Sequence, residues 1–293
     1  MRGVNPRPDQ GVGQLGGFAL SGSFRKLCLC LGLLLAACAP KPEDTGFEGF
    51  SAEQIYRLAQ GELDSGNPGK AATYFEDVER LYPYSQWSKR AVMMSAFAFH
   101  EAADYESSRA AAQRYIDFYP ADEDAAYAQY LIALSYYDQI VDVGRDQGNT
   151  FLALQELRKT IQRYPDSEYS RSAALKFDLT LSHLAGKEME IGRYYLKRGY
   201  YAAAINRFRV VVEDYQTTVH TAEALHRLVE SYLSLGLVGE AQTAGAILGH
   251  NFLGSEWYED SYDLLARNGV GPADAGKGWL SRIYRQVLRG KWI

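Results

Sequence analysis

Between Ser51 and Ala266 apolar and polar residues do not alternate as they would in half-buried strands. Ala, Leu, Tyr and Glu recur instead at three- and four-residue spacing, which predicts amphipathic helices throughout. Each helical run stops at a similar signal: Tyr82-Pro83, Tyr119-Pro120 and Tyr164-Pro165, then the degenerate copies Tyr215-Gln216 and Phe252-Leu253. The second members lie 37, 45, 51 and 37 residues apart. Periods of this size predict a solenoid of stacked helix pairs.

The repeating unit has a physical reading. Proline cannot continue a helix and pushes the residue before it out of the α region, so the preceding Tyr can pack back on its own pair. Where two helices touch closely a small residue is needed. Ala71 stands four residues before Phe75, and Ala204 four before Phe208; Ala153 with Leu157 and Ser108 with Ala112 are weaker versions. Turns precede them at Gly66-Asn67, Gly199-Tyr200, Gly236-Leu237 and the Gly-free Asp104-Tyr105. Small residue, aromatic, turn and proline in this order resemble the tetratricopeptide (TPR) pattern. The expected fold is all-α, a right-handed solenoid of about five TPR helix pairs.

Two intervals are long. The extra length before Pro165 coincides with Val141 to Thr150, which predicts a loop insertion inside repeat three. The extra length before Gln216 falls in Ser170 to Arg198. This stretch keeps an apolar period through Leu175, Leu179, Ile191 and Tyr195, and predicts a lengthened helix with Gly186 and Gly192 as weak points.

Ahead of the repeats, residues 24–38 read FRKLCLCLGLLLAAC. Arg25 and Lys26 precede an apolar run that is too short for a bilayer span of about 20 residues and fits a secretory signal. Its end, Leu35-Ala36-Ala37-Cys38, resembles a bacterial lipobox, which implies cleavage before Cys38 and a covalent lipid on its thiol. Ala39, in place of Asp, resembles the outer-membrane sorting pattern. The expected organisation is a signal peptide over 1–37 and a linker over 38–50. Five repeats would follow over 51–267, an N-terminal pair to about 120 and three more from 121. A Gly-rich linker with a basic amphipathic helix would fill 268–293.

Composition narrows the function. The chain has 293 residues, is 47% hydrophobic and carries a net charge of −5, which excludes disorder and a basic nucleic-acid binder. All three cysteines lie at or before Cys38, so the body has no disulfide or cysteine metal site. The leader is basic and so is the tail, through Lys277, Arg282, Arg285, Arg289 and Lys291; the body between them is acidic. The five histidines form no metalloprotease motif, and no phosphate-cradling loop or nucleophile elbow occurs. No catalytic residue, metal ligand or cofactor is expected beyond the lipid.

A lipobox followed by five TPRs resembles the BamD/ComL family of outer-membrane assembly lipoproteins. The stretches GRYYLKRGYYAAAINRFRVVVEDY (192–215), EALHRLVESYLSLGLVGEA (223–241) and AATYFEDVERLYPYS (71–85) carry the likeness. Gln216, Leu253 and the long basic tail depart from it. The resemblance implies a scaffold of the β-barrel assembly machinery on the periplasmic face of the outer membrane. Its C-terminal repeats would hold the POTRA domains of the barrel subunit BamA, beside accessory lipoproteins. Its N-terminal repeats would receive unfolded barrel substrates. A periplasmic TPR adaptor for envelope or division complexes is the alternative. A helical cell-wall enzyme would need a separate catalytic domain, and no stretch remains for one.

First helices of TPR pairs line a groove. The groove positions in the first two repeats are Glu53, Tyr56, Gln60, Arg90, Met93, Phe97 and His100. Aromatic faces could take a peptide's side chain, and Arg90 its carboxylate; Met93 and Phe97 serve equally well as core. Arg198 and Arg207 are the expected contacts for an acidic patch on the barrel subunit. In the tail, Trp279, Leu280, Ile283, Tyr284, Val287 and Leu288 form one helical stripe. It is suited to capping the last repeat or docking a partner, with membrane contact as the alternative.

Overall fold

One turn is built five times. In the computed structural model, which describes residues 46–273, 276 and 278–291, Tyr82, Tyr119, Tyr164, Tyr215 and Phe252 each end a helix. Their φ lies between −126° and −134° and their ψ between 33° and 56°. Each donates its backbone N–H to the carbonyl four residues earlier and accepts from the N–H three residues later. Gln216 and Leu253 follow two of these residues without changing the geometry. Proline reinforces this turn and is not what makes it.

Ten helices pair around these turns. They are α1 (Ala52–Asp64) with α2 (Pro68–Leu81), α3 (Gln86–Glu101) with α4 (Tyr105–Phe118), and α5 (Ala125–Tyr137) with α6 (Gly148–Arg163). Then come α7 (Glu168–Lys197) with α8 (Tyr201–Asp214) and α9 (Thr221–Ser234) with α10 (Val238–Asn251). Within three of the pairs the chain reverses through a left-handed glycine, Gly66, Gly199 or Gly236. In the second pair Ala103 takes that conformation at φ 57°, bearing the Cβ penalty a glycine avoids. The fifth pair closes at Asn251, before the expected 267. A further helix, α11 (Glu256–Arg267), follows, and α12 (Gly278–Leu288) after it. No strand occurs among the described residues.

Each helix from α1 to α10 packs on the next, and α1 on α3, α3 on α5, α5 on α7, α9 on α11, and α10 on α12. The small-residue positions sit where second helices meet the core. Ala71, Phe75, Ala153, Leu157, Ala204 and Phe208 are fully buried. So are Ser108 and Ala112, and the Ser108 hydroxyl donates to the Ala96 carbonyl at 2.8 Å. The serine thus fills an alanine's place without leaving a polar atom unpaired.

The long helix corrects one expectation. α7 runs 30 residues without a break, but its apolar stripe is not the one expected. Leu175 and Leu179 are 70% and 61% exposed. The buried face is Ser170, Ala173, Thr180, Leu184, Ala185, Met189 and Gly192. Gly192 is no weak point either: the Phe208 ring lies where its side chain would be. The insertion in repeat three is a loop from Asp138 to Gln147, shorter at its end than expected because Gly148 already opens α6.

The chain divides into two units, Met1–Glu48 and Gly49–Ile293. The signal peptide, Cys38 and most of the 38–50 linker lie outside the described residues. No described helix is long and apolar enough to cross a membrane.

Candidate partner-binding surfaces

The groove residues expected in the first two pairs are divided by the fold. The Tyr56 ring meets Phe75 edge-on at 5.2 Å and Trp87 at 5.0 Å, and only 7% of Tyr56 is exposed. Burial pushes its hydroxyl above the usual tyrosine range, against the lowering charge of Arg90. Met93 is buried with Val92, Ala96, Ala112 and Leu131, and Phe97 lies half-buried at the edge of that cluster. Tyr56 and Met93 are therefore core and offer a partner little surface. Gln60 and Arg90 remain exposed, with the Arg90 guanidinium 5.6 Å from the Trp87 ring centre. Glu53 pairs with Arg57 one turn on, and His100 meets the Asp138 carboxylate at 3.1 Å, tying α3 to the end of α5. What α3 presents is thus a guanidinium over an indole, while Gln60 is exposed on α1. That arrangement suits one carboxylate or one planar group.

The two arginines expected to face the barrel subunit differ from each other. Arg198 caps α7, is exposed, and stacks on Tyr194 at 4.3 Å. Arg207 already has a partner, the Glu188 carboxylate at 3.1 Å. An incoming acidic group must compete with Glu188 there, whereas Arg198 is free of any carboxylate within the described residues.

A third surface was not foreseen. Arg193 on α7 donates two hydrogen bonds to Glu223 on α9, at 2.8 and 2.5 Å. Arg227 reaches the same Glu223 at 3.4 Å and Glu230 at 2.7 Å, and its guanidinium lies 5.3 Å from the Trp257 ring centre. Burial works to raise the Glu223 carboxyl, but its hydrogen bonds and the two guanidinium charges outweigh it and hold it below the usual range. Beside this network an open groove of about 600 Å³ runs between the ends of α7, α9 and α11. Sequence reading missed it because its parts lie on three helices about 30 residues apart. The one local signal is the i, i+4 pair Arg193 and Lys197 near the end of α7.

The C-terminal helix is seated on the last pair. Leu280, Ile283 and Val287 are buried in the same core cluster as Val212, Tyr232 and Ile247, on α8, α9 and α10. The Trp279 indole N–H donates to the Tyr232 hydroxyl at 3.1 Å, and Arg209 lies 4.7 Å from its ring centre. The last pair is covered by α11 as well. Most of the apolar stripe of α12 is thus occupied, with Leu288 left exposed beside Arg282, Arg285 and Arg289.

Two histidines in this half carry a pH dependence. Burial, and then the Arg193 charge, lowers the pKa of His220. Burial also lowers that of His226, opposed by Glu230 and helped by Arg227; its Nδ1 lies 2.8 Å from the Ser261 hydroxyl. A histidine depressed in the folded chain takes up its proton more readily when unfolded. Its contribution to stability is present above the unfolded value of about 6.5 and is lost as pH falls below it. Stability should drop as pH falls from about 7 to below 6.5, by at most about 1.4 kcal/mol per pH unit for each histidine. Urea midpoints across that range should fall in the parent and flatten in the His220→Gln, His226→Gln double variant.

Among the described residues no group of three His, Cys, Asp or Glu side chains could hold a metal ion. Paired helices presenting ionic and aromatic surfaces define a helical-repeat protein of the tetratricopeptide class. The family model YfiO, described as an outer membrane lipoprotein, matches residues 49–247. The chain belongs to that family. It is 48% identical to "Outer membrane protein assembly factor BamD" of Caulobacter vibrioides, over 82% of this chain and 79% of the relative. It is 41% identical to the protein of the same name from Rickettsia prowazekii, over 81% of this chain and 94% of the relative. The crystal structure of PilW, described as a widely conserved type IV pilus biogenesis factor, aligns over 71% of this chain and 96% of its own at 14% identity. Its TM-score of 0.24 is too low to bear on the fold.

Proposed function

We propose that this chain is a lipid-anchored periplasmic scaffold of the β-barrel assembly machinery. It holds the barrel subunit BamA through the POTRA domains and presents unfolded outer-membrane proteins for folding and insertion. The observation that carries this reading is the 48% identity to the Caulobacter assembly factor over 82% of the chain. The surfaces are of a kind that suits it. Arg198 offers an exposed cation to an acidic domain, and Arg90 on Trp87 offers a carboxylate and ring site to an extended strand. Cys38, at the end of its Leu-Ala-Ala-Cys box, carries the lipid that holds the scaffold to the membrane. Acyl chains contribute about 0.8 kcal/mol per buried methylene, so more than one chain anchors stably.

The test is a pull-down in mild detergent from envelope membranes with the full chain as bait. The barrel subunit should co-purify in stoichiometric amount, and its absence would overturn the reading. A Cys38→Ala chain, exported through an unrelated cleavable signal, should leave the membrane fraction while still binding the solubilised barrel subunit. If it stayed in the membrane fraction of cells lacking that subunit, the anchor would be elsewhere.

A further inference from the structure

The groove between α7, α9 and α11 is not used by either surface assigned above. Its floor is apolar: Leu196, Leu233 and Leu264 are each half-buried and lean on the core beneath. Its rim carries Arg193, Lys197 and Arg227 with the Glu230 carboxylate and Tyr201, and is cationic in sum. Two of the three cations are already matched. Arg193 and Arg227 share Glu223, and Arg227 also holds Glu230. Lys197 is exposed in the last turn of α7 and meets no carboxylate among the described residues. A body that is acidic overall thus leaves one unmatched positive charge beside a leucine floor. The volume of about 600 Å³ lies within the range of sites that accept a compact ligand.

We infer that this groove docks an extended partner segment in which a leucine- to phenylalanine-sized side chain stands next to an aspartate or glutamate. The apolar side chain leaves water on the three leucines, which is the larger part of the affinity. The carboxylate meets Lys197, a point charge that needs no particular approach angle. A basic segment is disfavoured because it would have to displace Arg193 or Arg227 from Glu223, whose carboxylate those arginines already satisfy. A purely apolar segment would leave the ammonium facing it uncompensated. The inference stands on the groove alone and does not require the assembly role.

The test is selection of a nonamer library displayed at the N-terminus of a phage coat protein, against the detergent-solubilised full chain. Displayed this way, no peptide has a free C-terminus. Enriched sequences should place Leu, Ile, Met or Phe beside Asp or Glu. An amidated synthetic copy of the strongest clone should bind the parent, and at least ten-fold more weakly to Lys197→Glu. It should be weakened as much by Ser234→Trp, which fills the groove from an exposed rim position. Arg171→Glu, an exposed charge reversal at the far end of α7, should bind as the parent does. Unchanged thermal midpoints in all three variants keep a folding defect apart from a binding defect. No enrichment, enrichment without a carboxylate, or binding that survives both groove variants would overturn the inference. So would binding only when the synthetic peptide carries a free C-terminal carboxylate.

Discussion

Gly192→Ala lowers stability, although alanine is the better helix former. In an exposed helix interior the change is worth about 1 kcal/mol in alanine's favour. At Gly192 the new methyl would lie 2.4 Å from one Phe208 ring carbon and 2.8 Å from two others. Both residues are buried, and Phe208 is wholly so. The ring cannot swing aside, because Ala204, Val211 and Leu225 belong to the same packed cluster. Overpacking of this kind costs about 1–3 kcal/mol, and a contact this close belongs at the upper end. The net loss is then about 2 kcal/mol, or roughly 4–8 °C in the thermal midpoint of a body this size. The internal control is Gly186→Ala on the same helix, where the new methyl meets His220 at 3.4 Å and Val143 at 3.7 Å, ordinary contacts. That variant should be neutral or slightly stabilised. The opposed signs follow from the two environments, since helix, residue and substitution are the same. Phe208→Leu in the Gly192→Ala background should recover part of the loss, with a coupling of about 1 kcal/mol or more in the double-mutant cycle. If Gly192→Ala raised the midpoint as Gly186→Ala does, the α7–α8 packing described above would be wrong.

That contact also shows where the sequence was informative. The aromatic-proline signal marked five turns in register, and all five have one geometry, including the two without proline. A turn of this kind is made by local backbone bonds, so local sequence reports it. The small-residue spacings at Ala71, Ala153 and Ala204 were legible for a similar reason: close helix approach excludes bulk at one position per unit. On α7 the same logic was passed over in favour of hydropathy. Leu175 and Leu179 suggested the buried stripe, while Ala173, Thr180, Ala185 and Gly192 formed it. A helix packed at short range on both sides buries small residues, and hydropathy gives these little weight. The candidate surfaces were harder to read. Arg90 was placed correctly on the surface, but Tyr56 lies in the core because Trp87, one pair on, covers it. Arg207 carried no hint of Glu188, which stands 19 residues earlier on another helix. The leucine groove depends on the ends of three helices meeting, and only the fold brings them together.

Leu280→Ala unseats the whole of α12, beyond leaving a gap under one side chain. Leu280 is 1% exposed, and large-to-small changes at such sites cost about 2–5 kcal/mol. An 11-residue helix has too few turns to hold itself together in water, so its helicity depends on its seat. That seat consists of Leu280, Ile283, Val287 and the Trp279 contacts with Tyr232 and Arg209. The linker before it adds little: Gln242 donates to the Gly271 carbonyl, and the Ala273 N–H donates to the Gln242 carbonyl. With about 2–5 kcal/mol removed from so small an interface, the remaining contacts no longer offset the cost of about 1–2 kcal/mol per residue of ordering the helix, and it detaches as a unit. Hydrogen exchange should then show the α12 amides at nearly unprotected rates. Amides of α8 and α10 should lose part of their protection, because α12 covers them, while α1 to α5 stay at parental rates. The basic residues Arg282, Arg285 and Arg289 would remain on the chain but without a fixed surface. A variant carrying Arg282→Gln and Arg289→Gln instead should keep full protection of α12, since those side chains are exposed and the seat is apolar. Parental protection of α12 in Leu280→Ala would mean that the seat is held by contacts other than these. Loss spreading evenly into α1 to α5 would mean that the repeats unfold as one block, contrary to the nearest-neighbour packing from which a helix-pair solenoid draws its stability.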